Sequence, residues 1–261
     1  MFIDSHCHLS FPELSQQLPE LLNAMRAAQV QQAICICTTL EEFPQVLALA
    51  EAHPELWATV GVHPDNEGVR EPSVDELVAL AAHPRVLAIG ETGLDYYRLN
   101  GRSVADMAWQ RERFRVHIRA AQRTDKPLVI HTRASSADTL AILKEEGAGR
   151  VRGVFHCFTE DLAVAEQAVA LGFHISFSGI ISFKNAEGIR DVARALPRER
   201  VLIETDSPYL APMPYRGKLN QPAYVAHVAA QLATLWGVPV AEVGAITRAN
   251  TQRLFGLPAT A

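Results

Sequence analysis

Two histidines, one residue apart, interrupt the first apolar segment of the chain. His6 and His8 stand in the stretch FIDSHCHLS, where a buried strand would ordinarily continue in Val and Ile. Because side chains alternate faces along a strand, both imidazoles point the same way and can reach one metal ion. Asp4 is expected on that same inward face. Ile3 and Cys7 are expected to pack outward.

Other ligand-type side chains end further predicted strands, at the same end as the histidine pair. They are Glu91, His131, His156 and Asp206. A lone histidine at a strand end usually serves only hydrogen bonding, but a converging set of imidazoles and carboxylates predicts a metal site. These donors suit Zn²⁺, Mn²⁺, Fe²⁺ or Mg²⁺, and they are more than one tetrahedral ion can use. We therefore predict two metal ions bridged by a carboxylate.

Two other positions near these strand ends have supporting or open roles. His63 ends the third predicted strand, where it either touches substrate or is structural. Glu204 precedes Asp206 by two residues on the same face, which predicts that it supports a ligand from behind. The histidines outside this pattern are interpreted as surface or helix-packing residues. They are His53, His83, His117 and His227.

The elements that would position these side chains alternate between short β-rich runs and helical patterns along the whole chain. The predicted strands are Met1 to His8, Gln32 to Thr38, Trp57 to His63, Val86 to Glu91, Leu128 to Thr132, Gly153 to Cys157, His174 to Ser178 and Val201 to Asp206. The predicted helices are Leu18 to Ala28, Glu41 to Ala52, Val74 to Ala82, Met107 to Arg123, Ala137 to Glu146, Leu162 to Leu171, Ile189 to Leu196, Tyr224 to Trp236 and Ala241 to Phe255.

This order predicts an α/β fold, a (β/α)₈ TIM barrel of the metal-dependent hydrolase type, as one domain over residues 1–261. Strands that are apolar throughout suit a parallel sheet covered on both faces, with each helix as a crossover. All the candidate ligands would then lie at the carboxyl-terminal mouth of the barrel, where active sites of this fold occur. No glycine-rich G-x-G-x-x-G or Walker A segment follows a strand, which excludes the commonest nucleotide-binding folds.

Composition and charge are typical of a globular protein, and the cysteines are typical of a reducing compartment. Hydrophobic residues make up 48% and charged residues 20%, and the net charge of −5 shows no general nucleic-acid surface, although a local one remains open. No apolar stretch is long enough to span a bilayer, and no signal segment is evident, so we predict a cytoplasmic protein without membrane contact. The cysteines are predicted to be reduced core thiols. A metal pair at Cys35 and Cys37 is the weaker alternative.

Ordered blocks over nearly the whole chain resemble the TatD family of metal-dependent deoxyribonucleases, within the amidohydrolase-like barrels. The blocks are DSHCHL at Asp4 to Leu9, GVHP at Gly61 to Pro64, GETGLDY at Gly90 to Tyr96, PLVIHTR at Pro127 to Arg133, HCFT at His156 to Thr159, ETDSPYL at Glu204 to Leu210 and RGKLNQP at Arg216 to Pro222. The resemblance implies a hydrolase that holds two or three divalent ions, Mg²⁺, Mn²⁺ or Zn²⁺. Its implied ligands are His6, His8, Glu91, His131, His156 and Asp206. Glu91 stands where phosphotriesterase-like relatives carry a bridging lysine.

The activity that this resemblance implies is a deoxyribonuclease or exonuclease acting on DNA ends, which we expect to be single-stranded. Asp206 and Glu91 are the expected catalytic residues, with Asp206 as the general base that takes a proton from water. The alternative is a metal-dependent hydrolase of a small ester or amide, since the same ions polarise a carbonyl. A noncatalytic barrel would be expected to have broken ligands. No obligatory protein partner is evident.

Further residues close to the predicted mouth are candidates for contact with nucleic acid. Arg133, Lys184, Arg216 and Lys218 either meet phosphates or are solvated surface charges. Tyr96, Tyr97 and Tyr209 either stack on a base of a single strand or pack beneath a loop.

Overall fold

Eight parallel strands are hydrogen-bonded side by side in chain order. The computed structural model describes residues 1–147 and 149–258. The strands are β1 (Phe2–Cys7), β2 (Val30–Cys35), β3 (Leu56–Val60), β4 (Val86–Asp95), β5 (Leu128–Arg133), β6 (Gly153–Phe155), β7 (His174–Phe177) and β8 (Val201–Ile203). Beyond β8, Ser207 forms a parallel bridge with Cys7, which brings the last strand against the first. The predicted (β/α)₈ barrel is therefore confirmed.

Helices connect successive strands and form the outer layer. They are α1 (Pro12–Ser15), α2 (Leu18–Ala27), α3 (Phe43–Ala52), α4 (Val74–Ala81), α5 (Ala108–Thr124), α6 (Ser136–Ile142), α7 (Leu162–Ala170), α8 (Glu187–Ala195), α9 (Val225–Trp236) and α10 (Val240–Phe255). The fifth predicted helix, Ala137 to Glu146, was too long, because α6 ends at Ile142 and a wider π-helical turn, Leu143–Gly147, follows it. The short helix α1 was not predicted.

Alternating strand residues fill two separate apolar layers. One cluster lies inside the barrel and draws on nearly every strand. Its strand members are Ile3, Ile34, Trp57, Leu87, Ala88, Val129, Val154 and Leu202. At the amino-terminal ends of the strands, Leu254 and Phe255 of α10 and the following Leu257 complete this inner cluster. The other strand residues pack against the helices in a larger outer cluster. Strands buried on both faces explain the continuous apolar runs in the sequence.

Strand β1 breaks its alternation between Asp4 and Cys7, where its pairing with β2 is irregular. Before the break Ile3 faces the barrel interior, and after it His6 does so while Cys7 joins the outer cluster. The prediction for Cys7 is confirmed. The expectations for Ile3 and Asp4 were wrong, because strict alternation does not hold across a bulge. The Asp4 carboxylate instead accepts hydrogen bonds from the Thr205 N–H at 2.8 Å and hydroxyl at 2.6 Å.

Among residues 1–147 and 149–258, no single helix is long and apolar enough to cross a membrane. One pair, Pro222–Trp236 with Val240–Phe255, meets the length and composition criterion together but is bent by 111°.

Candidate metal centre

A cavity of about 770 Å³ opens at the carboxyl-terminal ends of the strands. All the predicted ligands except His6 line it directly, and His6 is fully buried beneath them. His6, Glu91 and His131 lie within strands. The remaining ligands follow the ends of β1, β6 and β8, so separate strands bring their side chains to one place.

The carboxylate of Glu91 lies at the centre of this group and is 2% exposed. Its Oε2 atom is 3.4 Å from His6 Nε2 and 4.0 Å from His8 Nε2. Its Oε1 atom is 2.8 Å from His156 Nε2 and 3.3 Å from His131 Nδ1. The two oxygens of one side chain therefore face two different pairs of imidazoles.

Asp206 completes the group on the β1 side. Its Oδ1 atom is 3.4 Å from His8 Nε2 and 3.6 Å from His6 Nε2. We call His6, His8, Asp206 and the Oε2 atom of Glu91 the first donor set. The second donor set is His131, His156 and the Oε1 atom of Glu91.

Carboxylates behind the second donor set fix the orientation of its imidazoles. Asp95 Oδ2 is 2.9 Å from His131 Nε2, so the other nitrogen of that ring, Nδ1, points toward Glu91. Glu204 Oε1 is 3.2 Å from His156 Nδ1 and accepts the Cys157 N–H at 2.8 Å. The sequence analysis predicted the place of Glu204 but missed Asp95. The available signal was an acidic residue four positions after Glu91, on the same face of an extended strand.

His63 lies as close to the centre as the predicted ligands. Its Nε2 atom is 3.3 Å from Glu91 Oε1 and 3.3 Å from His131 Nδ1. Its loop is held by His117 of α5, whose Nε2 accepts the N–H of Val62 at 3.0 Å. Of the two interpretations given for His117, surface or helix packing, its full burial excludes the surface one.

Charge within the site favours ionised carboxylates. Burial opposes the ionisation of Glu91, but the neighbouring imidazoles, with His156 foremost, lower its pKa well below the usual range. Burial likewise opposes ionisation of Asp206, yet the hydrogen bond from His8 and the charges of nearby imidazoles lower its pKa. Anionic oxygens surrounded by imidazole nitrogens form a donor set suited to a divalent cation.

The geometry fits metal binding in three overlapping groups, in each of which all ligand atoms lie within 4.8 Å of one another. The groups are His6 with His156 and Asp206, His6 with His8 and Glu91, and His63 with Glu91 and His131. Such nitrogen and oxygen donors suit Zn²⁺, Mn²⁺, Fe²⁺ or Mg²⁺ in different degrees.

The candidate contact residues around the mouth have different surroundings. Tyr96 is buried and its hydroxyl donates to Asp138 of α6 at 2.8 Å, so it packs against the helical layer. Tyr97 is 62% exposed, but the Arg133 guanidinium lies 3.7 Å over its ring. Tyr209 is 56% exposed and lines the cavity. Stacking on a free ring face is therefore open to Tyr209 and closed to Tyr96.

The candidate cations also divide by position. Arg133 lines the cavity, as does Arg98, which the sequence analysis missed. The other candidates are exposed but lie outside the cavity lining. They are Lys184, Arg216 and Lys218. The sequence analysis also missed Phe11, whose ring stacks on His8 with centroids 4.7 Å apart.

A buried amide fixes the loop that carries Tyr209. Asn220 is fully buried, and its Nδ2 donates to the carbonyl oxygens of Thr205 at 2.8 Å and Tyr209 at 2.5 Å. Its backbone N–H donates to the Pro208 carbonyl at 3.1 Å. The side chain of Asn220 therefore stabilises the segment after β8 by bonding to two of its backbone carbonyl groups.

The cysteines are free thiols. Cys7, Cys35 and Cys37 are buried, as predicted. Cys157 is half-buried and lines the cavity, so its assignment to the core was wrong. Its position directly after His156 carries it past the end of β6.

Comparison with known sequences identifies relatives over nearly the whole length. Residues 3–256 match the family model for TatD-related DNases. The chain is 44% identical to the uncharacterized metal-dependent hydrolase YcfH of Escherichia coli K12, over 99% of this chain and 97% of that protein. It is 37% identical to the uncharacterized metal-dependent hydrolase YabD of Bacillus subtilis, over 98% of this chain and 99% of that protein.

Solved structures give the same similarity in three dimensions. YjjV, a TatD homologue from Escherichia coli K12, superposes with a TM-score of 0.90 at 33% identity, covering 98% of each chain. A TatD family hydrolase from Entamoeba histolytica superposes with a TM-score of 0.84 at 22% identity, again covering 98% of each chain. The second similarity concerns the fold alone.

Proposed function

Because the chain belongs to the family of TatD-related DNases and is a metal-dependent hydrolase, we propose that it hydrolyses phosphodiester bonds at the ends of DNA strands. The observation that carries the proposal is the position of Glu91, whose two oxygens face two separate donor sets. A carboxylate in that position can be shared by two cations. Two cations held in this way would stabilise both the attacking and the leaving oxygen of a phosphodiester.

The ligands of the two ions follow from the donor sets. We assign one ion to His6, His8, Asp206 and Glu91 Oε2, and the other to His131, His156 and Glu91 Oε1. His63 is near enough to Glu91 and His131 to join the second position. When bound, divalent ions acidify a water molecule and neutralise the charge of a phosphodiester.

The residues of the chain supply proton transfer and orientation. Asp206 lies at the edge of the group with 14% of its side chain exposed, where its carboxylate can accept a proton from an attacking water. Asp95 and Glu204 hold His131 and His156 in fixed orientations, so these imidazoles need not reorganise on substrate binding.

The decisive experiment follows the fate of end-labelled oligonucleotides. Purified protein loaded with Mg²⁺, Mn²⁺ or Zn²⁺ should shorten single-stranded DNA from an end and act more slowly on blunt duplexes. The Asp206→Asn variant should be inactive while it keeps the circular dichroism spectrum of the wild type. Absence of DNA cleavage with every metal would contradict the proposal.

A small ester or amide is the second candidate substrate, and the volume of the cavity supports this alternative. About 770 Å³ lies within the range of pockets that enclose small molecules. The discriminating measurement offers p-nitrophenyl acetate and bis(p-nitrophenyl) phosphate to the same preparations. Turnover of the acyl ester alone would support this alternative, whereas turnover of the phosphodiester supports the nuclease.

A further inference from the structure

The mouth of the cavity has two walls of different chemistry. Phe11 follows β1 and Tyr209 follows β8, whereas Arg98 follows β4 and Arg133 ends β5. In a closed sheet ordered from β1 to β8, the adjoining strands β8 and β1 lie across from β4 and β5. The aromatic wall of Phe11 and Tyr209 therefore faces the cationic wall of Arg98 and Arg133, with the donor sets between them.

The aromatic wall forms a corner. Phe11 lies nearly parallel to the ring of His8, at an interplanar angle of 18°. The Tyr209 ring is 6.3 Å from Phe11 and inclined to it by 72°. A flat aromatic group entering this corner can stack on one ring and meet the edge of the other, which are the two favoured geometries of aromatic pairs. Nucleobases stack on exposed aromatic side chains without regard to sequence.

Neither arginine of the cationic wall has an ion-pair partner in the part of the chain that the structure describes, although Asp95 lies close enough for the Arg133 charge to act on it. Among the described residues, no carboxylate oxygen lies within 4.0 Å of a side-chain nitrogen of Arg98 or Arg133. Nearby arginines on the same connection do have such partners, since Arg102 pairs with Glu67 at 2.7 Å and Arg111 with Asp138 at 3.7 Å. The Tyr97 ring supports the Arg133 guanidinium from below. Guanidinium groups left free beside a cavity suit phosphate oxygens.

We propose that the cavity holds a single-strand end in one orientation, with its terminal base on Phe11 and Tyr209 and the adjoining backbone phosphate at Arg133 and Arg98. This inference rests on the proposed function, because it takes the scissile phosphate to lie at the donor sets between the walls. The terminal nucleoside has no further phosphate beyond it, which suits the aromatic wall. The rest of the strand carries the charge and leaves over the cationic wall.

The test measures binding rather than turnover. In the Asp206→Asn background, fluorescence anisotropy with Mg²⁺ gives the Kd of a single-stranded oligonucleotide and of the same strand with an abasic site at either end. Tyr209→Ala should weaken binding of the intact strand about tenfold or more. It should change little for the strand whose abasic end occupies the aromatic wall, because the stacked base is already missing.

The phosphate contact is tested in the same way. Arg133→Ala should weaken binding of the natural strand, and it should have little effect on a strand with an uncharged methylphosphonate at the linkage next to the scissile one. The slope of log Kd against log salt should become shallower by about 0.7 for the lost contact. Leu219→Ala and Arg150→Ala serve as controls, since both residues are exposed outside the cavity lining.

Each outcome bears on one proposal. Equal weakening of intact and abasic strands by Tyr209→Ala, or no weakening, overturns the base subsite. Equal weakening of natural and methylphosphonate strands by Arg133→Ala overturns the phosphate subsite. If binding follows the expected pattern while wild-type protein cleaves no DNA, the subsites stand and the proposed hydrolysis fails. If the wild type cleaves DNA but the variants bind normally, only the orientation is wrong.

Discussion

At the scale of single residues, the shared carboxylate of Glu91 distinguishes this site from a simple cluster of histidines. It is the side chain whose oxygens face both donor sets, whereas Glu204 contacts only His156 among the predicted ligands. Removal of its charge should therefore disturb both ion positions. Removal of the Glu204 charge should disturb one.

Glu91→Gln should lower metal binding more than Glu204→Gln, for which a loss of about 10- to 100-fold in metal affinity is expected. The amide keeps the shape of the side chain but removes the anion between the imidazoles. Atomic absorption after dialysis against limiting Zn²⁺ measures the bound ions for each variant. Retention of the wild-type metal content by Glu91→Gln would rule out a shared carboxylate.

Most ligand positions could be predicted from residue type and strand position. Asp95 was missed although it lies four positions after Glu91, and Phe11 could not be predicted. Thr92 and Gly93 after Glu91 suggest the end of a strand, since glycine weakens strand interiors. In the structure β4 continues past Gly93 to Asp95. A Cβ at Gly93 would lie 2.0 Å from the His131 carbonyl oxygen, so only glycine permits this close pairing with β5. Phe11 is an apolar residue before a helix, and only tertiary contact shows its stacking on His8.

At the scale of elements, the irregularity in β1 decides which side chains reach the cavity. Sequence alternation correctly paired His6 with His8 but placed Asp4 and Ile3 on the wrong faces. A bulge depends on pairing with neighbouring strands, so the period of one segment does not reveal it. The strands themselves were predictable because each contains apolar residues and is bounded by loop residues.

Helix α5 supports the loop of His63 through His117, and this contact should make stability depend on pH. Burial lowers the pKa of His117 to about 4, below its ordinary value of 6.5. The folded state therefore stays neutral while the unfolded chain takes up a proton as the pH falls. The stabilisation is complete above about pH 6.5 and is lost toward pH 4, with a maximum of about 3 kcal/mol.

His117→Gln keeps an acceptor for the Val62 N–H and a donor for the Arg113 carbonyl, but it does not titrate. Its free energy of unfolding should fall less steeply between pH 6.5 and pH 4 than that of the wild type. Urea denaturation across this range measures the slopes. Identical slopes for the two proteins would show that His117 does not cause the pH dependence of stability.

The loops after β7 and β8 touch at Gly179, where a Cβ would lie 2.0 Å from the Leu210 carbonyl oxygen. Gly179→Ala should destabilise the protein by about 1 to 3 kcal/mol, because the neighbouring backbone must move. Gly188 in α8 has nothing within 4 Å of the same position. Gly188→Ala should instead stabilise by up to about 1 kcal/mol. Urea denaturation distinguishes them, and equal changes would contradict the contact.

At the scale of the whole molecule, the two ends of the barrel have different tasks. The carboxyl-terminal end holds the donor sets and the cavity, and the amino-terminal end is packed by Leu254, Phe255 and Leu257. This division follows from a parallel barrel, in which all strands present the same end to one side. The sequence predicted the site end from its polar residues. The packing of α10 against the other end could be recognised only from the three-dimensional structure.

Leu254→Ala should separate stability from function. The side chain is 2% exposed in the inner cluster, so its truncation should cost about 2 to 5 kcal/mol of unfolding free energy. The KM for a cleaved substrate should stay unchanged, because the cavity lies at the other end. Val240→Ala, at the exposed start of the same helix, should change stability by less than about 0.5 kcal/mol. A raised KM for Leu254→Ala would show that the two ends communicate.

The amide of Asn220 has a kinetic consequence. Since its hydrogen bonds to Thr205 and Tyr209 already order the segment after β8, a DNA strand bound as we propose would find the tyrosine in place. Association would then need no slow closing step, because the entropy of fixing that loop is lost during folding rather than at each encounter.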